Sequence, residues 1–182
     1  STGDYMPLKT QAKAVTNKPL SILINSYSAS ASEVIAGGFR DYGRAYLVGL
    51  TTFGKGSYQG CGLMPSQKSL MICLTQGLFY APSGVSNQTV GITPDIKVYL
   101  NKEPKDAELY ALTEAQMYLY PLKNKKMPNP PAGNWKNITV PTQCMEKLGL
   151  DSVYDKAVST DSYYRDYQLL NGLAAVNCAS VK

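Results

Sequence analysis

No histidine occurs anywhere in the chain. A Ser-His-Asp triad, a Cys-His pair and a histidine-ligated zinc site are therefore excluded within it. Cysteine is sparse, and none of Cys61, Cys73, Cys144 and Cys178 stands in a C-x-x-C spacing. That argues against a four-thiolate zinc site, while the even count suits an oxidising compartment. Neither a metal nor a cofactor is called for. Charged residues are few, at 17%, so little of the chain reads as a disordered tail. The net charge of +5 is modest, and only Lys123, Lys125 and Lys126 cluster. Basic and aromatic residues do not interleave there, so the cluster reads as a solvated loop and no nucleic acid is expected as a partner. No apolar run reaches the ~20 residues of a membrane-spanning helix, and no signal peptide is visible. The chain begins at Ser1, from which we expect a longer polypeptide that carries any targeting signal.

What is present fits one ordinary domain, or a domain with an appendage. Residues 1–18 are polar and read as a connection. "PLSILIN", residues 19–25, is a nearly continuous apolar run, as expected of a strand covered on both faces. The small residues of "SYSASAS" lead into "EVIAGGFRDY", where Val34, Ile35, Ala36 and Phe39 fall at helical spacing before Gly43. "AYLVGL", residues 45–50, is a second buried strand. Strand, helix and strand in succession form a βαβ unit, whose strands must be parallel. "SYQGCGL" and "SLMICLTQGLFYA" flank the turn-like "MPSQK" and predict an antiparallel hairpin. A turn centred on Gln67 places Cys61 opposite Cys73, as a disulfide or as two free thiols. "VGITPDIKVYL" reads as a strand segment interrupted by Pro94. Beyond it, "EPKDAELYALTEAQMYLY" predicts a helix, residues 121–142 a long connection, and 151–158 and 161–176 two further helices. In the last, Tyr163, Tyr167, Leu170 and Leu173 share one face, read as packing.

"GLTTFGKGS" contains G-x-x-x-x-G-K, Gly49 to Lys55, the core of a nucleotide phosphate loop. Such a loop needs a hydroxyl directly after the lysine to ligate Mg²⁺, and a helix opening there to face the phosphates. Here Gly56 follows Lys55, Ser57 comes one position late, and "SYQGCG" continues as a strand. Nucleotide binding is the minor alternative.

The βαβ topology offers another use for the lysine. Neighbouring parallel strands end on one edge of the sheet, where ligands of open α/β sheets bind. "SASASE" follows the first strand and "TTFGKG" the second, which brings Ser28, Ser30, Ser32 and Lys55 to one rim. A desolvated lysine beside a serine hydroxyl can serve as general base in place of histidine. Ser30 and Glu33 match the S-x-x-E capping box, so Ser30 also reads as a plain helix cap. A nucleophile at a helix N-terminus would have free N–H groups beside it for an oxyanion. Pattern alone does not separate Ser30 from Ser28 and Ser32.

Residues 19–99 carry SASASE, DYGRA, FGKGSYQ, PSG and GI-PDI in order, and so resemble the catalytic core of the C-terminal processing peptidases, or tail-specific proteases. The resemblance implies an α/β fold related to crotonase and the Clp protease. It implies a serine–lysine dyad in which Ser30 is the nucleophile, Lys55 the general base and Gln59 the residue that orients the lysine. The N–H of Ala31 would supply half of the oxyanion hole. Glu33 and Asp41 match acidic positions and would be supporting, Glu33 within the cap and Asp41 held by Arg40 or Arg44. The family's second oxyanion donor and its PDZ module lie upstream of the serine, and neither is visible here.

The sequence thus reads as 1–100, the C-terminal part of a protease core, and 101–182, a helical extension. The expected function is a serine endopeptidase that cleaves protein substrates near their C-termini through an acyl-enzyme, in an extracytoplasmic compartment such as the periplasm. Its partners would be a peptide substrate and the missing N-terminal part of the same protease; a homo-oligomer stays open. The fragment alone could be inactive. The alternative from another class is an inactive peptide-binding scaffold that keeps the fold.

Overall fold

The computed structural model describes residues 12–99, 112–127, 130, 132–133, 138–148 and 166–179. It is an α/β structure. Strand β1 (Ser21–Ile24) leads to helix α1 (Ala31–Asp41) and strand β2 (Tyr46–Gly49). β1 and β2 pair in parallel, Ser21 with Tyr46 through Ile24 with Gly49, as the βαβ pattern requires. A short strand β5 (Ile96–Lys97) pairs in parallel on the other side of β2. β2 is therefore central, and all four of its residues are buried.

Its side chains alternate between two cores, the period of a strand. Leu47 packs with Ile24, Ala36 and Ile92 on the α1 side. Tyr46 and Val48 pack with Ala175 on the opposite side, flanked by Ile96, Val98, Ile138 and Met145. Burying side chains of this size stabilises by about 1.5–3 kcal/mol each. The second core belongs to helix α4 (Tyr167–Ala179), which lies against β1 and β2. Gly172 permits that approach, since a Cβ there would stand 3.0 Å from Leu23 Cδ2. Ser21 Oγ fixes it by donating to the Gly172 carbonyl at 2.8 Å. Helix α3 (Thr142–Leu148) is joined to α4 by the Cys144–Cys178 disulfide.

Strands β3 (Ser57–Met64) and β4 (Gln67–Leu78) form the antiparallel hairpin, in a separate two-stranded sheet. Cys61 and Cys73 are register partners and are bonded to each other. The pairing is centred on Gln67 along most of its length, but an irregularity after Leu63 makes Met64 the partner of Gln67. The tip therefore turns at Pro65–Ser66, before the expected centre.

Elsewhere the sequence reading needs correction. α1 buries Glu33, Ala36, Gly37 and Asp41, whereas Val34, Ile35 and Phe39 are 38%, 57% and 37% exposed. The helix predicted through residue 120 falls partly outside the described residues. Its described part is one turn, α2 (Glu114–Met117). Thr113 is extended (φ −92°, ψ 168°) and Tyr118 is extended again, so no longer helix runs through them. Among the described residues of "VGITPDIKVYL", only Ile96–Lys97 pairs as a strand; Pro94 has no N–H to give a ladder. The helix expected at 151–158, and Tyr163, lie outside the described residues. α4 starts after Asp166, whose Oδ1 accepts the Leu169 N–H at 2.9 Å. Its buried residues include Gln168, Leu170, Ala174 and Cys178, while Tyr167 and Leu173 are half-buried. α3 begins directly after Pro141, a start signal that the reading of 121–142 as a connection passed over.

Candidate active site

The chain leaves β1 through a tight turn. Ser28 N–H donates to the Asn25 carbonyl at 2.9 Å, and Ser28 Oγ accepts the Asn25 N–H at 3.1 Å. The hydroxyl of Ser28 is thus engaged in shaping the turn. Ser32 is exposed in the first turn of α1. Ser30 differs from both, with φ 56° and ψ −117° at the helix N-cap. A non-glycine residue in this region is strained, and such strain persists where the surroundings over-determine it. A serine on a strained strand-to-helix turn is also how a nucleophile elbow exposes its hydroxyl.

Glu33 is the over-determining group. It is 1% exposed, and its Oε2 accepts the Ser30 N–H at 2.9 Å, the backward arm of the capping box. The same Oε2 accepts the Lys55 N–H at 2.8 Å. Oε1 accepts the Gly54 N–H at 2.9 Å and the Thr52 hydroxyl. Thr52 Oγ1 in turn accepts the Ile92 N–H at 2.7 Å. The cap residue read from sequence is therefore a four-bond hub that ties the serine turn to the lysine loop. S-x-x-E revealed one of those bonds. Nothing in the spacing announced Thr52.

Lys55 sits between two glycines that the loop needs. Gly54 has φ +95°, and a Cβ on Gly56 would meet Gln88 N at 2.7 Å and Asn87 Oδ1 at 2.9 Å. Strand β3, not a helix, follows the loop. No helix opens directly after this lysine, which removes the structural basis of a phosphate loop. Lys55 Nζ donates to Gln59 Oε1 at 3.0 Å. Gln59 Nε2 is held by Ser57 Oγ at 3.1 Å and Thr75 Oγ1 at 3.2 Å, an orientation that leaves its carbonyl oxygen for the lysine. No hydrogen bond joins Lys55 Nζ to Ser30 Oγ among the described residues. The fold brings the two residues together through the main chain.

Ala31 opens α1, so its N–H is one of the donors that its own helix cannot satisfy. Asp41 lies at the other end of the helix and is buried. Its Oδ2 accepts the Ser83 N–H at 2.9 Å and its Oδ1 lies 3.6 Å from Arg40 Nε. It fastens the "APSG" loop to α1, and no hydrogen bond joins it to the other candidates among the described residues. Arg44 instead donates to the Thr16 carbonyl at 2.8 Å. Asp95, from "GITPDI", accepts the Leu47 N–H at 2.7 Å. Burial pushes its carboxyl above the ordinary range, against that hydrogen bond and the Arg40 charge. Burial, with the Asp95 charge, also raises the Tyr46 phenol.

The profile of peptidase family S41 matches residues 2–98, just over half of the chain. The chain belongs to peptidase family S41. The matched span of this S41 chain contains Ser30, Lys55 and Gln59 themselves, with β1, α1, β2 and the β3–β4 hairpin. A carboxy-terminal-processing protease of Bartonella bacilliformis is 49% identical over 81 residues, 44% of this chain and 18% of the relative. Carboxyl-terminal-processing peptidase 3, chloroplastic, of Arabidopsis thaliana is 43% identical over 84 residues, 46% of this chain and 16% of the relative. The structure of a photosystem II D1 C-terminal processing protease aligns with a TM-score of 0.42 at 34% identity, covering 44% of this chain and 20% of that one. This S41 chain thus spans about a fifth of the length of these relatives. Among the described residues, no helix is long and apolar enough to cross a membrane.

Proposed function

We propose that the protein acts as a serine endopeptidase that cleaves protein substrates near their C-termini, with Ser30 as nucleophile and Lys55 as general base. The observation that carries this reading is the shared carboxylate oxygen. Glu33 Oε2 grips the main chain of Ser30 and of Lys55 at once. Substrate lies extended beside the sheet edge and binds partly through its main chain. Lys55 Nζ takes the Ser30 hydroxyl proton as Oγ attacks the scissile carbonyl, and the Ala31 N–H stabilises the oxyanion. The tetrahedral intermediate collapses to an acyl-enzyme as the amine leaves with a proton. Water then hydrolyses the ester and regenerates Ser30. Gln59 holds Lys55 between turnovers, and Glu33 and Asp41 support the scaffold.

The second oxyanion donor and a PDZ module come from an N-terminal part of the same protease. Residues 101–182 form an extension whose α4 covers one face of the sheet. Two disulfides support an extracytoplasmic location, such as the periplasm. The second reading is the non-catalytic scaffold, in which Ser30 serves only as the helix cap that its capping box with Glu33 forms.

Peptide hydrolysis by the full-length protein beside Ser30→Ala and Lys55→Ala separates the two. The dyad predicts losses of at least about a thousandfold in both variants. Equal activity in all three proteins removes the dyad, and an inert wild type favours the scaffold.

A further inference from the structure

The lysine loop has a second anchor, separate from Glu33. Gly56 N–H donates at 2.9 Å to Oε1 of Gln88, a side chain with no exposure. Gln88 Nε2 donates to Glu114 Oε1 at 3.4 Å. Glu114 comes from the segment after residue 100 and is 6% exposed. Its own N–H, which the single turn of α2 cannot satisfy, donates to the Phe53 carbonyl at 2.9 Å. The start of α2 is thus bonded to the residue that enters the lysine loop, and its carboxylate points back toward the residue that leaves it.

The chemistry of a glutamine amide gives this arrangement a direction. An amide can turn over, exchanging its oxygen and nitrogen. With Nε2 toward Gly56, two donors would face each other and the buried Gly56 N–H would lose its acceptor. A carboxylate accepts only, so Glu114 favours the orientation in which Nε2 faces it and Oε1 faces Gly56. The acid is not wholly satisfied by this relay. Its Oε2 makes no hydrogen bond among the described residues, and a buried carboxylate oxygen without a partner is a cost to folding.

Taking Lys55 as the base of the dyad, we propose that Glu114 is a positioning residue that acts through Gln88 to hold the lysine loop in register with Ser30. Residues beyond 100 then contribute to the reaction and not only to the covering of the sheet.

The test uses the full-length protein with Glu114→Leu and Glu114→Gln. It reads kcat and KM for a peptide substrate, together with amide exchange over Gly54–Ser57. Glu114→Leu is expected to lower kcat about tenfold or more, to move KM less than about twofold, and to speed exchange in the loop. Glu114→Gln keeps an acceptor for Gln88 Nε2 and should retain most of kcat, with exchange near wild type. Wild-type kcat in Glu114→Leu overturns the proposal, as does an equal fall in both variants. If Glu114→Leu does not fold, Gln88→Met breaks the same relay from its other end and is read in the same way. An active Ser30→Ala overturns the dyad itself. An inert Ser30→Ala beside an unimpaired Glu114→Leu overturns only the role of Glu114. Should the wild type hydrolyse nothing, unchanged loop exchange in Glu114→Leu is sufficient to reject the proposal.

Discussion

Ser30 and Lys55 share one hydrogen-bond acceptor: Glu33 Oε2 receives the main-chain N–H of the first at 2.9 Å and of the second at 2.8 Å. With Oε1 occupied by Gly54 and Thr52, the carboxylate satisfies four buried or half-buried donors. Glu33→Ala leaves all of them without their acceptor and should destabilise by about 2–4 kcal/mol. Glu33→Gln keeps the shape but turns an NH₂ group toward N–H donors, so it should not restore stability. Urea midpoints at constant m report both changes. A Glu33→Gln midpoint equal to wild type would show that the carboxylate is not the hub.

The glycine after Lys55 makes a separate prediction. A Cβ on Gly56 would fall 2.7 Å from the Gln88 backbone nitrogen, so Gly56→Ala should cost about 1–3 kcal/mol. Gly62 lies on β3, just beyond the lysine loop, with nothing within 4 Å of a Cβ. Gly62→Ala should change stability by less than about 1 kcal/mol. Thermal melts of the two variants measure the contrast, and similar shifts would contradict the packing assigned to Gly56.

Asp95 makes folding depend on pH. Its folded-state pKa is raised above 3.8, chiefly by burial. The stability it contributes is therefore fully present below pH 3.8 and declines as pH rises through the raised value. Asp95→Asn keeps an acceptor for the Leu47 N–H and does not ionise. Relative to wild type, the variant should gain stability between about pH 3.5 and pH 7. Urea midpoints at both values test this, and a difference that does not change with pH would refute it.

The two disulfides should contribute unequally. Cys144–Cys178 spans a sequence separation of 34 and Cys61–Cys73 one of 12. Chain-entropy reasoning assigns about 4 kcal/mol to the longer loop and about 3 kcal/mol to the shorter. Replacing Cys144 and Cys178 by serine should thus lower Tm more than replacing the hairpin pair. The larger loss should also loosen α4, which packs on the sheet. A larger drop from the hairpin pair would reverse the ranking.

Much of this architecture was legible in the sequence because local pattern and tertiary role agree there. "YLVG" is buried on both faces as read, whereas β1, expected to be covered on both, leaves Leu23 39% exposed; a turn near Gln67 was enough to set Cys61 opposite Cys73. α1 was legible as a helix but not in its buried face. Its inward residues are Glu33, Gly37 and Asp41 beside Ala36, chosen for hydrogen bonding and close approach, so apolar spacing pointed the wrong way. The reach of Glu33 to Thr52 and Gly54, and of Glu114 through Gln88 to Gly56, depends on tertiary contacts between residues distant in sequence. No spacing rule contains such pairs. The strain at Ser30 is likewise imposed by its surroundings, since serine has no local preference for φ 56°.

The most direct test of the central claim is to trap the nucleophile. Full-length protein treated with a serine-directed phosphonate is digested, and the modified peptide is mapped by mass. The account predicts a single adduct on Ser30, formed far more slowly in Lys55→Ala and absent from Ser30→Ala. An adduct on Ser28 or Ser32, or labelling of Ser30 at an unchanged rate without Lys55, would contradict it.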